Sequence, residues 1–394
     1  MNEKASTEDR AGTPDLGGGV ESSDERLRLS PRDADRDESR GPVEEMPRVR
    51  FTRGRLLASL LFVVSAVAFL YFVLPKLLGL QDTWNRIQRG DAWWLAGAAV
   101  LEVLSFCGYI GLFRAVFVRG ESRIGWRESY QITRAGLAAT RLFASAGAGG
   151  IALTAWALRR SGLGARIVAC RMIAFLALLY AVYMGALVID GLGLYLGVIP
   201  GPHPFAITVI PAIFGAVVII IFLAISLLPE DADRLVARWN RRDRLSWLGW
   251  LAVHVAAAPA AAASGVRTAI TLVRSRDPLL VGAVAWWGFD IAVLWACFRA
   301  FGDSPPIGVI VMAYFVGMVG NTLPLPGGIG GVDGGMIGAF SAFGVPVEIS
   351  IVSVLAYRGF AFWLPTLPGG VAYVQLRRTV NRWSRTEAPS PSYT

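Results

Sequence analysis

The sequence has little of what most enzymatic and metal sites require. It contains only two histidines, His203 and His254, and three isolated cysteines. A zinc site, a disulfide framework and histidine-based catalysis are therefore not expected. Charged residues are also scarce, at 17% of the chain, against about 25% in soluble domains. We expect no metal, no cofactor and no enzymatic activity.

Apolar residues are abundant instead. They make up 54% of the 394 residues, and the mean hydropathy is +0.50. A soluble fold could not bury this much apolar surface, so the lipid bilayer must act as part of the solvent. The sequence predicts an all-α, polytopic integral membrane protein.

Basic residues dominate outside the N-terminal segment. Of 38 basic and 29 acidic residues, residues 1–50 hold nine and thirteen, so residues 51–394 hold 29 and 16. Positive charge in short loops favours anionic membrane lipids as partners over nucleic acid. By the positive-inside rule, arginines before the first apolar segment and after the last place both termini in the cytoplasm. We expect a multi-pass protein of the cell (inner) membrane, and a homo-oligomer remains open.

The composition divides the chain into three parts. Residues 1–53 are polar and aperiodic, which indicates a disordered cytoplasmic tail. Residues 54–380 form the predicted transmembrane domain, and residues 381–394 form a second cytoplasmic tail. Full spans are predicted at Leu56–Leu74, Trp93–Phe117, Ile173–Leu196, Phe205–Leu228, Leu279–Phe301 and Ile349–Gln375. Residues 245–277 favour an amphipathic or partly inserted helix on the cytoplasmic side.

Two further apolar stretches do not fit a simple crossing. Residues 131–157 have basic residues on both sides, and two crossings would need about 40 residues. Residues 307–345 contain a run of proline and glycine that no continuous helix would choose. We interpret each stretch as a re-entrant hairpin, which is tolerated only where protein or a polar cavity surrounds it.

The order of these elements suggests a duplication. Halves at about 92–198 and 278–378 each run span, broken hairpin, span. The glycine runs 146–150 and 327–331 correspond, as do the segments that begin at Arg171 and Arg358. The charge rule opens the first hairpin to the cytoplasm and the second to the outside. This predicts an inverted-topology repeat, an architecture of secondary transporters whose site lies near the midplane.

The second half carries a specific resemblance. The run Leu325-Pro-Gly-Gly-Ile-Gly-Gly-Val-Asp-Gly-Gly-Met336, followed by Gly344-Val-Pro346, Tyr357-Arg358 and Phe362-Trp-Leu-Pro365, resembles the signature of the lysylphosphatidylglycerol synthase/flippase transmembrane family. A looser likeness lies at Gly149-Gly150 and Leu158-Arg-Arg-Ser-Gly-Leu163. Only a short tail follows Arg378, so the resemblance implies the flippase-like membrane module without the soluble aminoacyl-transfer domain.

The candidate binding residues are charged, or lie in the broken segments. An arginine within the bilayer is costly and usually faces a cavity or a partner, and guanidinium binds phosphate with two hydrogen bonds. Arg358 lies 19 residues before Arg377, so it is expected near the outer boundary of the membrane. It could therefore contact a phosphate group, anchor the helix at the outer interface, or form a structural pair with Asp333. The full set of predicted substrate-binding residues is Arg358, Arg141, Arg171, Asn321, Gly327, Gly328, Gly330, Gly331, Asp333 and Tyr357.

Two acidic residues are candidates for ion or proton coupling. Asp290 and Glu102 lie inside predicted spans, where a carboxyl group marks an ion pathway or partners an arginine. The sequence thus favours a flippase-like transporter that binds an anionic phospholipid or a polyprenyl-linked amphiphile between two hairpins. A membrane-embedded transferase acting on a lipid-linked donor and a non-transporting scaffold are the alternatives.

Overall fold

The regular structure is helical throughout the described residues, and no β-strand occurs among them. The structure is a computed structural model, and it describes residues 90–119, 123–142, 148–227, 262–322 and 328–386. This confirms the all-α prediction for that part of the chain. The predicted span Leu56–Leu74, both predicted tails and Gly327 lie outside the described residues.

The described helices are numbered here in chain order. They are α1 (Ala92–Phe117), α2 (Trp126–Leu142), α3 (Ala148–Arg160), α4 (Ala165–Tyr195), α5 (Phe205–Ser226), α6 (262–274), α7 (Gly282–Phe301), α8 (Ile307–Met318), α9 (Gly331–Ala342), α10 (Val347–Arg358) and α11 (Leu364–Thr386). Turns of 3₁₀ helix at Pro278–Val281 and Val319–Thr322 adjoin α7 and α8. One π-helical turn at Gly359–Trp363 joins α10 to α11.

Five helices are long and apolar enough to cross a membrane by their length and composition. They are Ala92–Phe117, Ala165–Tyr195, Phe205–Ser226, Pro278–Phe301 and Val347–Trp383. They coincide with five of the six predicted spans and confirm a helical membrane protein. Of the ambiguous segment 245–277, the structure describes residues 262–277. Their helix, α6, packs closely on α4 where Gly265 meets Ile173.

The first predicted hairpin is a pair of helices, α2 and α3, which we call the first helix pair (126–160). Its glycines allow close packing: a Cβ on Gly150 would lie 2.4 Å from the carbonyl oxygen of Gly136. Gly136 also faces Thr154, and Gly150 faces Thr140, so the two helices run antiparallel. Small residues of this kind let helix backbones approach closely in membranes.

The second predicted hairpin is also an antiparallel pair, α8 and α9, called here the second helix pair (307–342). Gly317 packs on Met336, where an added Cβ would lie 2.2 Å from the methionine Cγ. Nearer the connection, Gly320 lies against Gly331. The chain between the helices of each pair, at 143–147 and 323–327, lies outside the described residues.

Two antiparallel spans, α1 and α7, pack against each other along their length. An added Cβ on Gly282 would lie 2.2 Å from the carbonyl oxygen of Gly108. One turn away, the Ser105 hydroxyl donates a hydrogen bond of 2.8 Å to the carbonyl oxygen of Trp286. These contacts set the register that places Glu102 of α1 beside Asp290 of α7.

Candidate functional site

Asp290 is the centre of a buried cluster of polar side chains. Its Oδ2 accepts a 2.8 Å hydrogen bond from the Tyr357 hydroxyl of α10 and another from the Tyr314 hydroxyl of α8. All three side chains are buried. A buried carboxylate needs such donors because it has lost the hydrogen bonds of water. The cluster therefore ties α7, α8 and α10 together.

Glu102 places a second carboxyl group next to Asp290. Glu102 is only 3% exposed, and its Oε2 is buried without a hydrogen-bond partner. An ionised carboxylate can only accept hydrogen bonds, whereas a protonated one can also donate. A proton on either group would therefore supply a hydrogen bond between the two.

An ion pair joins the second helix pair to α10. Arg358 Nε lies 2.6 Å from Asp333 Oδ1, and both side chains are largely buried. Asp333 sits in the first turn of α9, and its Oδ2 accepts a 2.8 Å hydrogen bond from the backbone N–H of Gly330. Of the three sequence-based hypotheses for Arg358, the structural pair with Asp333 is thus present.

Arg358 lies in the interior of one long helical run. It is the last residue of α10, eleven helical steps or about 17 Å from Val347 at the start of that helix. The run continues through the π-helical turn and α11 to Thr386. Nineteen helical steps, about 28 Å, separate Arg358 from Arg377.

Arg141 brings the end of α2 to the π-helical turn. Its Nη2 donates to the carbonyl oxygen of Ala361 at 2.7 Å, and its Nη1 donates to that of Phe362 at 3.2 Å. The Ala361 carbonyl needs a donor because Pro365, four residues later, has no N–H. π-Turns recur at functional sites. Here the turn exposes two acceptors that the arginine occupies.

These residues form one charged region, which we call the polar centre. Its members are Glu102, Arg141, Asp290, Tyr314, Asp333, Tyr357 and Arg358. Arg141 is near enough to Glu102, Asp290 and Arg358 for direct charge interaction. Among the described residues, no group of three or more His, Cys, Asp or Glu could hold a metal ion.

The remaining predicted residues lie at two other places. Gly328, Gly330 and Gly331 lead into α9, and positive φ angles of 66° and 84° at the first two explain the need for glycine there. Asn321 is exposed, and its Nδ2 contacts Met318 Sδ at 3.2 Å. Arg171 donates a 3.0 Å hydrogen bond to the Phe117 carbonyl at the end of α1, where basic side chains commonly satisfy the last carbonyls of a helix.

The sequence did not predict two of the residues at this site, Tyr314 of the polar centre and the neighbouring Arg134. Tyr314 lies in an apolar helix, where a tyrosine is usually a residue of the hydrophobic core. Only the contact of its hydroxyl group with Asp290 distinguishes it from such a residue. Arg134, in α2, belongs to the basic flank of the first predicted hairpin, where positive charge is typical of the cytoplasmic side. Its guanidinium instead lies over the ring of Phe106, 3.5 Å from the centroid. The signal available was its position seven residues before Arg141, on the same helix face.

Comparison with known proteins gives consistent matches. Residues 56–369 match the family described as the lysylphosphatidylglycerol synthase TM region. A UPF0104 membrane protein of Methanothermobacter thermautotrophicus is 23% identical over 339 residues, which are 80% of this chain and 94% of that protein. Another match to a protein so named from that organism is 32% identical but spans only about a third of the relative's length. A UPF0104 membrane protein of Methanocaldococcus jannaschii is 28% identical over 95 residues, 24% of this chain and 28% of that protein.

Proposed function

Since the chain belongs to the lysylphosphatidylglycerol synthase transmembrane family, we propose that it is a flippase-like lipid transporter. Its substrate is an anionic phospholipid or a polyprenyl-linked amphiphile. The head group occupies the polar centre while the acyl or prenyl chains stay in the surrounding lipid. The proposal places the protein in the cell membrane with both termini in the cytoplasm.

One observation carries this proposal: both helix pairs place a charged residue on the same short segment, 357–362. From the first pair, Arg141 reaches the carbonyl oxygens of Ala361 and Phe362. From the second pair, Asp333 reaches Arg358. Intramembrane charges are costly and are retained at substrate or ion pathways. A movement of either helix pair would change these contacts and so alter access to the centre.

We further propose that the helix pairs are re-entrant and open to opposite sides. Basic residues flank the first pair, which places its ends in the cytoplasm. The second pair lies between the C-terminal end of α7 and the start of α10, both expected outside. In this arrangement the two halves form an inverted repeat, and broken helices meet near the midplane as in secondary transporters.

Transport fits the residues better than catalysis does. Asp290 is bound by two tyrosines, and Asp333 is bound by Arg358 and a backbone N–H. A transferase acting on a lipid-linked donor would need carboxylates available to the reacting atoms near an interface. A scaffold would not require a buried cluster of charged side chains, which is costly to maintain. We therefore propose no enzymatic activity.

The function is testable in proteoliposomes. We expect the full chain to expose inner-leaflet, fluorescently labelled phosphatidylglycerol to dithionite, whereas protein-free vesicles keep it protected. The Arg141→Gln variant is expected to move the probe about tenfold more slowly or worse, because hydrogen bonds to charged groups contribute about 1.5–3 kcal/mol. Arg127→Gln, which removes an exposed charge from the same helix, serves as the control.

The outcome of this assay is clear in either direction. Equal transport rates for wild type and Arg141→Gln would show that Arg141 of the polar centre is not required for lipid movement. A wild-type protein that moves no phosphatidylglycerol, no phosphatidylethanolamine and no polyprenyl phosphate would contradict the proposed function.

The re-entrant arrangement predicts the sidedness of four exposed positions. Single cysteines at Arg127 and Arg166 should react with an impermeant maleimide only from the cytoplasmic side. Cysteines at Asp303 and Glu348 should react only from the outside. The measurement is labelling of right-side-out and inverted vesicles.

The labelling background replaces Cys107, Cys170 and Cys297 with alanine, since all three are free. That background must still move lipid at the wild-type rate. If positions 127 and 166 lie on opposite sides, the first helix pair crosses the membrane and the re-entrant arrangement is wrong.

A further inference from the structure

Arg134 differs from the other arginines of the proposed site. Its Nε and Nη1 are buried and have no hydrogen-bond partner. Arg141 is engaged by backbone carbonyls, and Arg358 is engaged by Asp333. Buried donors of a charged group cost free energy when they are left unpaired. The guanidinium group of Arg134 therefore lacks a hydrogen-bond acceptor.

Aromatic side chains hold this guanidinium in place. It stacks on Phe106 of α1 at 3.5 Å and lies 5.6 Å from the ring of Tyr130, one turn earlier on α2. The second arginine, Arg141, lies 5.9 Å from the same Phe106 ring. Phe106 thus lies near two guanidinium groups that belong to one face of α2. Stacking of this kind favours arginine over lysine, because the planar group keeps its edge free for hydrogen bonds.

The charged and titratable groups around Arg134 do not supply the acceptor. Glu102, one turn before Phe106 on α1, attracts Arg134 but does not accept a hydrogen bond from it. Tyr130 of α2 and Cys107 of α1 are the other groups that interact with its charge. None of these groups accepts a hydrogen bond from Nε or Nη1 of Arg134, whereas a phosphate group offers oxygen acceptors that match the guanidinium edge.

We infer that Arg134, stacked on Phe106, is a phosphate-binding position for a membrane phospholipid, separate from the Arg358–Asp333 pair. This inference rests on the proposed function, because it names the residue that first takes the head group. An apolar stripe beside it favours a lipid over free phosphate. Val100, Val103 and Leu104 are 60%, 56% and 41% exposed on α1 and could line an acyl chain. They lie within two turns of Phe106.

The test measures binding rather than transport, so it can fail while transport is intact. The probe is dioctanoyl-phosphatidylglycerol, titrated into the purified full chain in detergent and followed by intrinsic fluorescence or native mass spectrometry. Dioctanoylglycerol has the same chains without the phosphate. We expect Arg134→Gln to weaken phosphatidylglycerol binding about tenfold or more and to leave dioctanoylglycerol binding unchanged. Arg127→Gln, on the same helix with the same change in charge, should bind like wild type.

Three results would overturn the inference. The first is wild-type affinity in Arg134→Gln, and the second is an equal loss in Arg127→Gln, which would indicate general electrostatic attraction. The third is displacement of the lipid by inorganic phosphate at comparable concentration, which would identify a soluble-phosphate site. If Arg134→Gln does not fold, the same titration is made with Arg134→Lys. A weaker but detectable affinity of Arg134→Lys for phosphatidylglycerol supports a bidentate hydrogen bond, and an unchanged affinity contradicts it.

Discussion

Replacing Arg358 with alanine is expected to destabilise the protein by about 3–5 kcal/mol and to abolish lipid movement. The substitution leaves the Asp333 carboxylate buried and without the guanidinium that lies 2.6 Å from it. Only the N–H of Gly330 then remains among its observed partners. The destabilisation is measurable as a lower midpoint of thermal or denaturant unfolding in detergent.

Stability and transport can be separated by replacing both members of the pair. Arg358→Met combined with Asp333→Leu removes both charges at similar volume, and such replacements of buried ion pairs are often neutral or stabilising. We expect the double variant to unfold near the wild-type midpoint and still to move no lipid. Arg377→Ala, an exposed arginine on α11, should change neither measurement. Transport at the wild-type rate by the double variant would limit the pair to a structural role.

The second large effect is expected at the Glu102–Asp290 carboxyl pair. We propose that a proton shared by this pair controls the binding of anionic lipid. When the pair holds a proton, Arg141 is less compensated and attracts an anionic head group more strongly. When the proton leaves, the added carboxylate charge neutralises Arg141 and favours release. Binding of dioctanoyl-phosphatidylglycerol should therefore weaken as pH rises.

The variant Glu102→Gln holds one position of the pair neutral and should remove most of this pH dependence. The wild-type change should be about tenfold in affinity, since a unit charge a few ångströms away contributes about 1–4 kcal/mol at effective dielectric constants of 80 to 20. Tyr314, Tyr357, Arg134 and Cys297 also interact with the pair and should be left intact.

The matched control is Glu348→Gln, an exposed acidic residue in the first turn of α10. It should retain the wild-type pH dependence. The proposal fails if Glu102→Gln binds the probe with the same pH dependence as wild type while folding normally. A proton gradient that does not change the wild-type transport rate would argue against coupling even if binding depends on pH.

Local sequence was sufficient for much of the helical architecture. The predicted spans of α1, α5 and α7 agree with the helices to within a few residues, because a run of about 20 apolar residues leaves the backbone no other way to satisfy its hydrogen bonds in lipid. Glycine and proline also indicated that residues 131–157 and 307–345 are not single continuous helices, since both residues disfavour one. Charge in the loops suggested an orientation that awaits the labelling test.

Only the tertiary structure decided which charged groups meet. Arg141 and the carbonyl of Ala361 are 220 residues apart, and nothing local in either segment indicates their contact. Whether Arg358 was free or paired depended on how α9 packs beside α10. Tyr314 and Arg134 looked like ordinary core and ordinary surface charge for the same reason. Hydropathy and residue spacing report how one helix meets its solvent, whereas the partner of a buried polar atom is chosen by the packing of several helices.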